Sequence, residues 1–374
     1  MWDFGITRLA DVTGLDVIGM PVYMAVRPNS RSLSVSQGKG LDRPAAKASA
    51  LMESIEGWHA ERADLPIRYE SYAALRRSSP VIDITRLPLR RGATLDFSAP
   101  MLWVTGYDLI RSCSVWLPYE CVSLNFVKPS RLGSNFHLTS NGLASGNHIL
   151  EAITHALCEV LERDALALWE ARGGFECADP QVDLGTIDDS AVTGLLQQLR
   201  DADIAVVIMD ATADTAVPTF TCILADKNPM QPRWTLKGLF GGHGSHLDPI
   251  VALMRAITEA VQSRLTHIAG SRDDMFHYDT HANPDDVRAS ASILTRDSVP
   301  FTYPNFSTDS FEDDIEIILQ NLQAVGVESA VVVDLTRADV GIPVVKVIVP
   351  GLESPPHSVA YVPGERATSL GAAT

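Results

Sequence analysis

The chain has 374 residues and a formal net charge of −16 at pH 7. Proteins bind nucleic-acid phosphates mainly through clustered Lys and Arg, so this acidic balance argues against a nucleic-acid-binding protein. The sequence has no run of about eighteen apolar residues and no basic segment at its start. We therefore expect a cytoplasmic protein that has no membrane partner.

The five cysteines are odd in number and show no C-x-x-C spacing. Neither a disulfide framework nor a zinc site is predicted from them. A single nucleophilic cysteine stays open among the five, which are Cys113, Cys121, Cys158, Cys177 and Cys222.

The first part of the chain begins with a polar turn and then a proline at the mouth of a β-strand, over residues 11–28. A glycine-rich segment at 36–40 precedes a helix that its apolar periodicity predicts near 44–62. Strands are predicted next at 102–108 and 115–117.

The middle of the chain repeats the order of glycine segment and helix. A second glycine-rich segment at 140–147 precedes a helix predicted near 150–170. Another helix near 190–202 leads into a strand at 204–210.

The last part of the chain has a third glycine-rich segment, at 241–246. The helix predicted near 248–269 follows it, with Asp248 as N-cap and Pro249 at the first helical position. The remaining predictions are a helix at 310–325, strands at 330–334 and 344–349, and an irregular tail at 354–374.

The proline and strand pattern is an internal repeat. The copy at 11–28 recurs at 334–350 with one residue deleted, and more loosely at 210–224. Repeats at long and irregular spacing favour one composite body over a solenoid of short units. We predict an α/β fold of mixed α+β character, a single domain over residues 1–374 built from related strand and helix lobes.

Three predicted helices carry the same stripe: an alanine, an acidic residue three positions later, and an acidic or amide residue three positions after that. Residues three apart share one face of a helix. Carboxylates are seldom buried unless they are paired or bound to a cation, so stripes that face one another would form a candidate Mg²⁺ site. The stripes are Ala50, Glu53 and Glu56; Ala156, Glu159 and Glu162; and Ala256, Glu259 and Gln262.

Each stripe follows one of the three glycine-rich segments, which we interpret as turns. Glycine allows the backbone to approach a phosphate, and a helix start offers unpaired N–H donors. Because Mg²⁺ usually binds few carboxylates together with substrate phosphates, the pattern predicts a nucleoside triphosphate with its metal. In the alternative interpretation, the glycines only turn the chain and the glutamates are solvated.

Three histidines lie near these predicted sites. His155 is on the acidic face of the second helix and is a candidate general base, although a helical histidine more often has a structural role. His243 and His246 flank the third glycine segment, where they would contact substrate or phosphate, or pack the loop.

The motifs, taken in order, resemble the YcaO family over nearly the whole chain. The residues that carry the resemblance are Ser36, Lys39, Glu53 and Glu56; Asn147, Glu151, Glu159, Glu162 and Arg163; and Arg255, Glu259, Gln262 and Arg264. The resemblance implies a YcaO-type composite fold around a central ATP and Mg²⁺ site. It also implies an enzyme that uses ATP to phosphorylate a peptide backbone amide oxygen, so that a nucleophile can replace it.

The resemblance also implies roles for individual residues. The Mg²⁺ ligands would be Glu53, Glu56, Glu159 and Glu162. It gives no catalytic general base. The implied nucleotide contacts are Asn147, Glu151 and Arg163, with Ser36, Lys39, Arg255 and Arg264 as further candidates.

The segments 5–16 and 349–353 look most like the YcaO branch that works beside a TfuA protein. That branch is associated with backbone thioamide formation, so the expected partners are a peptide substrate and a TfuA-like protein. The alternative within the family is azoline formation at Cys, Ser or Thr. Azoline-forming members commonly end in a proline-rich tail, which residues 369–374 do not resemble.

Other interpretations stay open. The chain could be a nucleotide-sensing or scaffold protein, which would bind ATP without consuming it. It could also be a metal-dependent phosphotransferase acting on small molecules. Whether the chain forms a homodimer is undecided. The strand pattern begins close to Met1, so an additional upstream segment is also undecided.

Overall fold

The computed structural model describes residues 1–127, 135–226, 239–274, 296–358 and 360–371. The chain forms two compact units. Unit 1 comprises Met1–Ser54, Phe175–Thr212 and Pro218–Phe306, and unit 2 comprises Ile55–Gly174, Ala213–Val217 and Ser307–Thr374. That the whole chain is one domain stays a prediction.

The helices in the described residues are, in chain order, α1 (Arg43–Glu61), α2 (Tyr72–Leu75), α3 (Ile149–Ala171), α4 (Ser190–Asp201), α5 (Pro249–Ala269), α6 (Phe311–Ala324) and α7 (Glu365–Gly371). The strands are β1 (Arg8–Asp11), β2 (Val22–Val26), β3 (Val35–Lys39), β4 (Arg68–Ser71), β5 (Pro100–Asp108), β6 (Cys113–Pro118), β7 (Leu143–Ser145), β8 (Gln181–Asp183), β9 (Ile204–Asp210), β10 (Thr219–Asp226), β11 (Leu239–Ser245), β12 (Ser298–Pro300), β13 (Val331–Asp334) and β14 (Val344–Ile348). Within the described part of the chain, no helix is long and apolar enough to cross a membrane.

Unit 1 contains two sheets. The first has the order β1–β2–β3, and the second has the order β11–β10–β9–β8–β12. Helix α5 packs on β11 and β10, and α4 packs on β9. The helix faces meet the strands in one apolar core that includes Phe220, Phe240, Leu253 and Ile257.

Unit 2 is built on one six-stranded sheet in the order β4–β5–β13–β14–β7, with β6 beside β5. Helix α3 packs on β14 and β7, and α6 and α7 pack on α3. The apolar core includes Trp103, Leu117, Phe136 and Val331. The acidic face of α3 therefore begins beside the short strand β7.

The predicted helices and strands agree closely with the observed elements, and Asp248 caps α5 through its side chain as expected. The tail prediction was wrong in part, because residues Glu365–Gly371 form α7. This helix is short and small-residue rich, and its position depends on contacts with residues far away in the sequence. Positions 359 and 372–374 of the predicted tail lie outside the described residues.

The three copies of the predicted internal repeat share one hydrogen-bond pattern. In every copy an Asp side chain accepts the N–H of a Thr two residues later, and that Thr Oγ1 accepts the N–H that follows the strand-opening proline. These two bonds close the polar turn against the start of the next strand. The copies are Asp11, Thr13 and Val22 (3.1 and 3.2 Å), Asp210, Thr212 and Thr219 (2.8 and 3.1 Å), and Asp334, Thr336 and Val344 (2.8 and 3.2 Å).

The glycine-rich segments differ from the expected turns. Segments 36–40 and 241–246 lie mostly within β3 and β11, and 140–147 contains β7. A Cβ on Gly38 would lie 1.9 Å from the Ala50 nitrogen, and one on Gly242 would lie 2.0 Å from the Ala260 nitrogen. These glycines are needed because the backbone of a helix occupies the space of their side chains.

We expect Gly242→Ala to lower the free energy of unfolding by about 1–3 kcal/mol or more. The added methyl group would clash with backbone atoms of α5, which cannot move aside as a side chain could. Urea unfolding measures the change. Gly14→Ala is the matched control, since a Cβ there meets nothing within 4 Å. Equal stability of both variants would contradict the close helix and strand contact.

Candidate functional site

Backbone N–H groups around β7 orient two of the predicted metal ligands in unit 2. Glu56 Oε1 accepts hydrogen bonds from the Ser145 nitrogen at 2.9 Å and the Ser145 Oγ at 2.6 Å. Glu159 Oε1 accepts the Gly142 N–H at 3.2 Å. One short segment therefore aligns carboxylates from α1 and α3.

The second stripe ends in an ion pair between neighbours. Arg163 Nη1 lies 3.2 Å from Glu162 Oε1, and the Glu162 side chain is almost fully buried. A buried carboxylate is tolerated when a cation pairs with it. Glu162 and Arg163 thus place opposite charges side by side on α3, as nucleotide binding together with a metal would need.

The start of α3 holds the predicted nucleotide residues Asn147 and Glu151 together. Glu151 accepts the Asn147 backbone N–H at 2.7 Å and its side-chain Nδ2 at 3.1 Å. The carboxylate reaches back from the first turn of the helix to the residue before the N-cap, which is His148. This contact fixes the loop that leads from β7 into α3.

The residues of unit 2 fit a Mg²⁺ and nucleotide site in their chemistry. Glu56, Glu159 and Glu162 carry carboxylate oxygens of the kind that Mg²⁺ prefers, and hydrogen bonds behind them would orient them as ligands. Asn141, which directly precedes Gly142 in the sequence, has a buried Oδ1 atom. No described residue donates a hydrogen bond to this atom. Such an acceptor suits a polar ligand or bound water.

The metal assignment nevertheless stays a prediction. In the ranges that the structure describes, no three His, Cys, Asp or Glu side chains form a group that could hold a metal. Glu53, the remaining predicted ligand, is exposed on α1 and belongs to unit 1.

Lys346 was missed by the sequence analysis. It is buried in β14, and its Nζ donates to the Thr139 carbonyl oxygen at 2.6 Å. Burial lowers the pKa of Lys346 to about 8, and the Glu159 carboxylate opposes this shift. The available signal was a single charged residue inside the apolar run 344–349.

The third stripe holds unit 1 together. Glu259 Oε2 lies 3.1 Å from Lys39 Nζ at the end of β3, and Gln262 Nε2 donates to the Gln37 carbonyl oxygen at 2.9 Å. Ser36 lies in the same strand. The stripe thus joins α5 to β3, and roles of Lys39 and Ser36 toward a nucleotide stay predictions.

The two arginines predicted on α5 have different surroundings. Arg255 Nη1 donates to the Ser245 carbonyl oxygen at 3.3 Å. Arg264 is buried, lies 2.9 Å from Asp16 and 3.2 Å from Asp226, and stacks over the Phe240 ring. This geometry favours a structural role for Arg264, while Arg255 stays a candidate nucleotide contact.

The remaining candidate groups differ in their surroundings. His155 is exposed on α3, and a role as general base stays a prediction. His246 Nδ1 accepts the Asp248 N–H at 3.0 Å beside the α5 cap, which favours a role in packing its loop. Burial raises the pKa values of the Cys121 and Cys222 thiols far above their usual range, which argues against either as a nucleophile.

A buried ionic cluster, also missed in the sequence, fastens α7 to α3. Arg366 forms two hydrogen bonds to the buried Asp164, at 2.9 and 3.0 Å, and also contacts Asp214. Buried Glu353 accepts N–H groups from Gly364 and Ala367 at 2.8 and 2.9 Å. Asp164 directly follows Arg163, so this cluster supports the end of the second stripe.

Comparison with known proteins gives consistent matches. A family model described as a YcaO cyclodehydratase that binds ATP and Mg²⁺ matches residues 37–353. An uncharacterized protein of Methanothermobacter thermautotrophicus is 38% identical over 367 residues, covering 93% of this chain and 90% of the relative. An uncharacterized protein from the tfuA 3′ region of Rhizobium leguminosarum bv. trifolii is 36% identical over 360 residues, covering 94% of this chain and 84% of the relative.

Solved structures agree with the predicted mixed α+β fold, which is confirmed. A heterocyclase in complex with substrate and cofactor matches 97% of this chain with a TM-score of 0.77 and 26% identity. This chain spans about half of that protein, 51% of its length. YcaO from Methanopyrus kandleri, bound with AMPPCP and Mg²⁺, has the same fold, with a TM-score of 0.74, 22% identity, and coverage of 94% of this chain and 87% of that one.

Proposed function

Because this chain belongs to the YcaO family of ATP-dependent peptide-modifying enzymes, whose cofactors are ATP and Mg²⁺, we propose that it activates a backbone amide of a ribosomally made peptide for thioamide formation. The amide oxygen receives the terminal phosphoryl group of ATP, hydrosulfide adds to the carbon, and the oxygen leaves as phosphate. The balance is amide, ATP and hydrosulfide in, and thioamide, ADP and hydrogen phosphate out. A TfuA-like protein is the proposed partner.

The orientation of carboxylates by β7 is the observation that carries the ATP-dependent part of this proposal. Glu56, Glu159 and Glu162 would hold Mg²⁺, which when bound would neutralise charge on the transferred phosphoryl group. Asn147, Glu151 and Arg163 would bind the nucleotide. The Gly142 and Ser145 N–H groups keep the carboxylates aligned, which is the main task of a protein in phosphoryl transfer.

The preference for sulfur depends on the relative named for its place in a tfuA 3′ region. Azoline formation is the second candidate, favoured by the family description and by the likeness to a heterocyclase. In that reaction a Cys, Ser or Thr side chain of the peptide attacks the preceding carbonyl carbon, and the substrate loses one water.

Mass spectrometry of a reaction with the precursor peptide, Mg-ATP, sulfide and the TfuA-like protein separates the two reactions. We expect one backbone oxygen to be exchanged for sulfur, and we expect omission of sulfide to stop the reaction. Loss of water that persists without sulfide would establish azoline formation instead. Tight ATP binding without turnover in every combination would favour the sensor interpretation.

Mg-ATP is also expected to raise the melting temperature more than Mg²⁺ or ATP alone. A ligand that binds only the native state stabilises it by about 2.7 kcal/mol at roughly one hundred times its dissociation constant. Differential scanning fluorimetry measures the shift. Equal shifts with and without the metal would argue against glutamates as metal ligands.

A further inference from the structure

One stretch of unit 2 has a charge opposite to that of the whole chain. Residues 62–91 contain seven arginines and three acidic residues, whereas the protein carries a net charge of −16. Local basic charge on an acidic protein attracts an acidic ligand and repels basic ones. The arginines are Arg62, Arg68, Arg76, Arg77, Arg86, Arg90 and Arg91.

Two of these arginines line a cavity of about 320 Å³, here called the arginine pocket, formed by Tyr72, Ala73, Arg76, Arg77 and Phe97. The Tyr72 and Phe97 rings lie 5.2 Å apart, and the Arg76 guanidinium lies over the Tyr72 ring at 5.4 Å. Both arginines are exposed, and in the part of the chain that is described neither forms an ion pair with a carboxylate. The pocket therefore offers two guanidinium groups beside an aromatic surface.

The strand that leads into this pocket is at the edge of its sheet. Among the described strands β4 pairs only with β5, and it ends at Ser71, next to Tyr72 of the pocket. Tyr69 lies opposite Leu102 on β5, and both side chains are exposed, as is Ile67. An edge strand with apolar side chains is a template for a further strand.

We propose that β4 and the arginine pocket form a docking site for an acidic, extended segment of the peptide substrate, outside the residue that is modified. The segment adds a strand along β4, its apolar side chains cover Tyr69 and Leu102, and a carboxylate binds Arg76 and Arg77. Arginine pairs with carboxylates through two parallel hydrogen bonds, which gives this recognition its specificity. The inference rests on the proposed function, because it takes the substrate to be a peptide.

The small size of the surface favours a peptide over a folded protein. Stable protein–protein interfaces bury on the order of 1,200–2,000 Å² in total. A four-residue strand edge and one pocket suit a short segment that binds in extended form. The docking would also hold the substrate while the ATP-dependent reaction takes place elsewhere on the peptide.

The test uses a fluorescent synthetic peptide of alternating glutamate and leucine, with a glutamine-for-glutamate version as control, and fluorescence anisotropy as the readout. We expect the full-length protein to bind the acidic probe and not the neutral one. Arg76→Glu with Arg77→Glu should weaken binding roughly tenfold or more, since hydrogen bonds to charged groups are among the strongest. Arg90→Glu with Arg91→Glu is the matched control, an exposed neighbouring arginine pair outside the pocket, and should keep most of the affinity.

Equal affinity of both double variants, or no binding of the acidic probe to the wild type, would overturn the proposal. A probe with N-methylated backbone amides tests strand addition, because undiminished affinity would contradict it. If the Arg76 and Arg77 double variant no longer binds the TfuA-like protein but still binds the probe, the surface is a binding site for that partner. This result would overturn the proposal. The change in melting temperature on adding Mg-ATP is measured for each variant. Loss of peptide docking alone should leave this change as in the wild type, which distinguishes it from failure of the proposed ATP-dependent chemistry.

Discussion

Glu159→Gln is expected to lower ATP turnover by more than about a hundredfold in a folded protein, since even residues that only orient metal ligands affect activity by about 10–100-fold. The amide oxygen of glutamine can still accept the Gly142 N–H that Glu159 accepts at 3.2 Å. The variant therefore removes the negative charge and leaves the contact with β7. Steady-state ADP release with peptide, partner and Mg-ATP measures the loss.

Glu170→Gln is the matched control, because Glu170 lies on the same helix and contacts His357 at 3.3 Å, away from the stripe. It should turn over ATP like the wild type. Unliganded Glu159→Gln should remain folded but lose some stability, because the Glu159 carboxylate helps to keep the buried Lys346 ammonium charged. Wild-type turnover in a folded Glu159→Gln protein would remove Glu159 from the metal site.

Arg366→Met is expected to lower the free energy of unfolding by about 3–5 kcal/mol, because it leaves a buried carboxylate without its cation. Asp164 is fully buried and receives two hydrogen bonds from Arg366. Urea unfolding at neutral pH measures the difference. Asp214→Asn is the matched control, since Asp214 is largely exposed and its ion pair should contribute less than about 1 kcal/mol.

The pH dependence of Arg366→Met provides a second check. Burial raises the pKa of Asp164, and the Arg366 guanidinium opposes that rise in the wild type. In the variant the folded-state pKa should rise further, so the native state binds a proton that the unfolded state releases. The stability deficit relative to the wild type should therefore shrink as the pH falls through that raised pKa. A deficit that is constant with pH would mean that Asp164 is not the group left unpaired.

The long helices could be predicted because the residues that define them lie within or next to each helix. Helices α1, α3 and α5 have sustained apolar periodicity, and Asp248 with Pro249 marks where α5 begins. The turns that begin with Asp11, Asp210 and Asp334 were expected as polar turns, because in each copy a Thr follows the Asp at the same offset and a proline comes before the next strand. Membership of the YcaO family was predicted from the order of the motifs along the chain, and the family model confirms it.

The errors concern information that is not local. Glycine beside a helix backbone and glycine in a turn look alike in a sequence, so β3 and β11 were expected as turns. Lys346 contacts Thr139, 207 residues away, and Arg366 contacts Asp164, 202 residues away. No periodicity reports such pairs. Which glutamates bind Mg²⁺ depends on the ligand itself, and that part stays a prediction.

The contact of helix backbone with glycine strands has a consequence for motion. Helices that pack through side chains can shift by about 1–2 Å as rotamers exchange. At Gly242 no side chain separates β11 from α5, so sliding of one element past the other would bring their backbones into collision. Helix α5 and strand β11 can come apart only in a larger cooperative unfolding event. Amides that are exposed only by such an event exchange their hydrogens slowly. We therefore expect the contact between β11 and α5 to be stiff, and the amides of both elements to exchange among the slowest in the described part of unit 1.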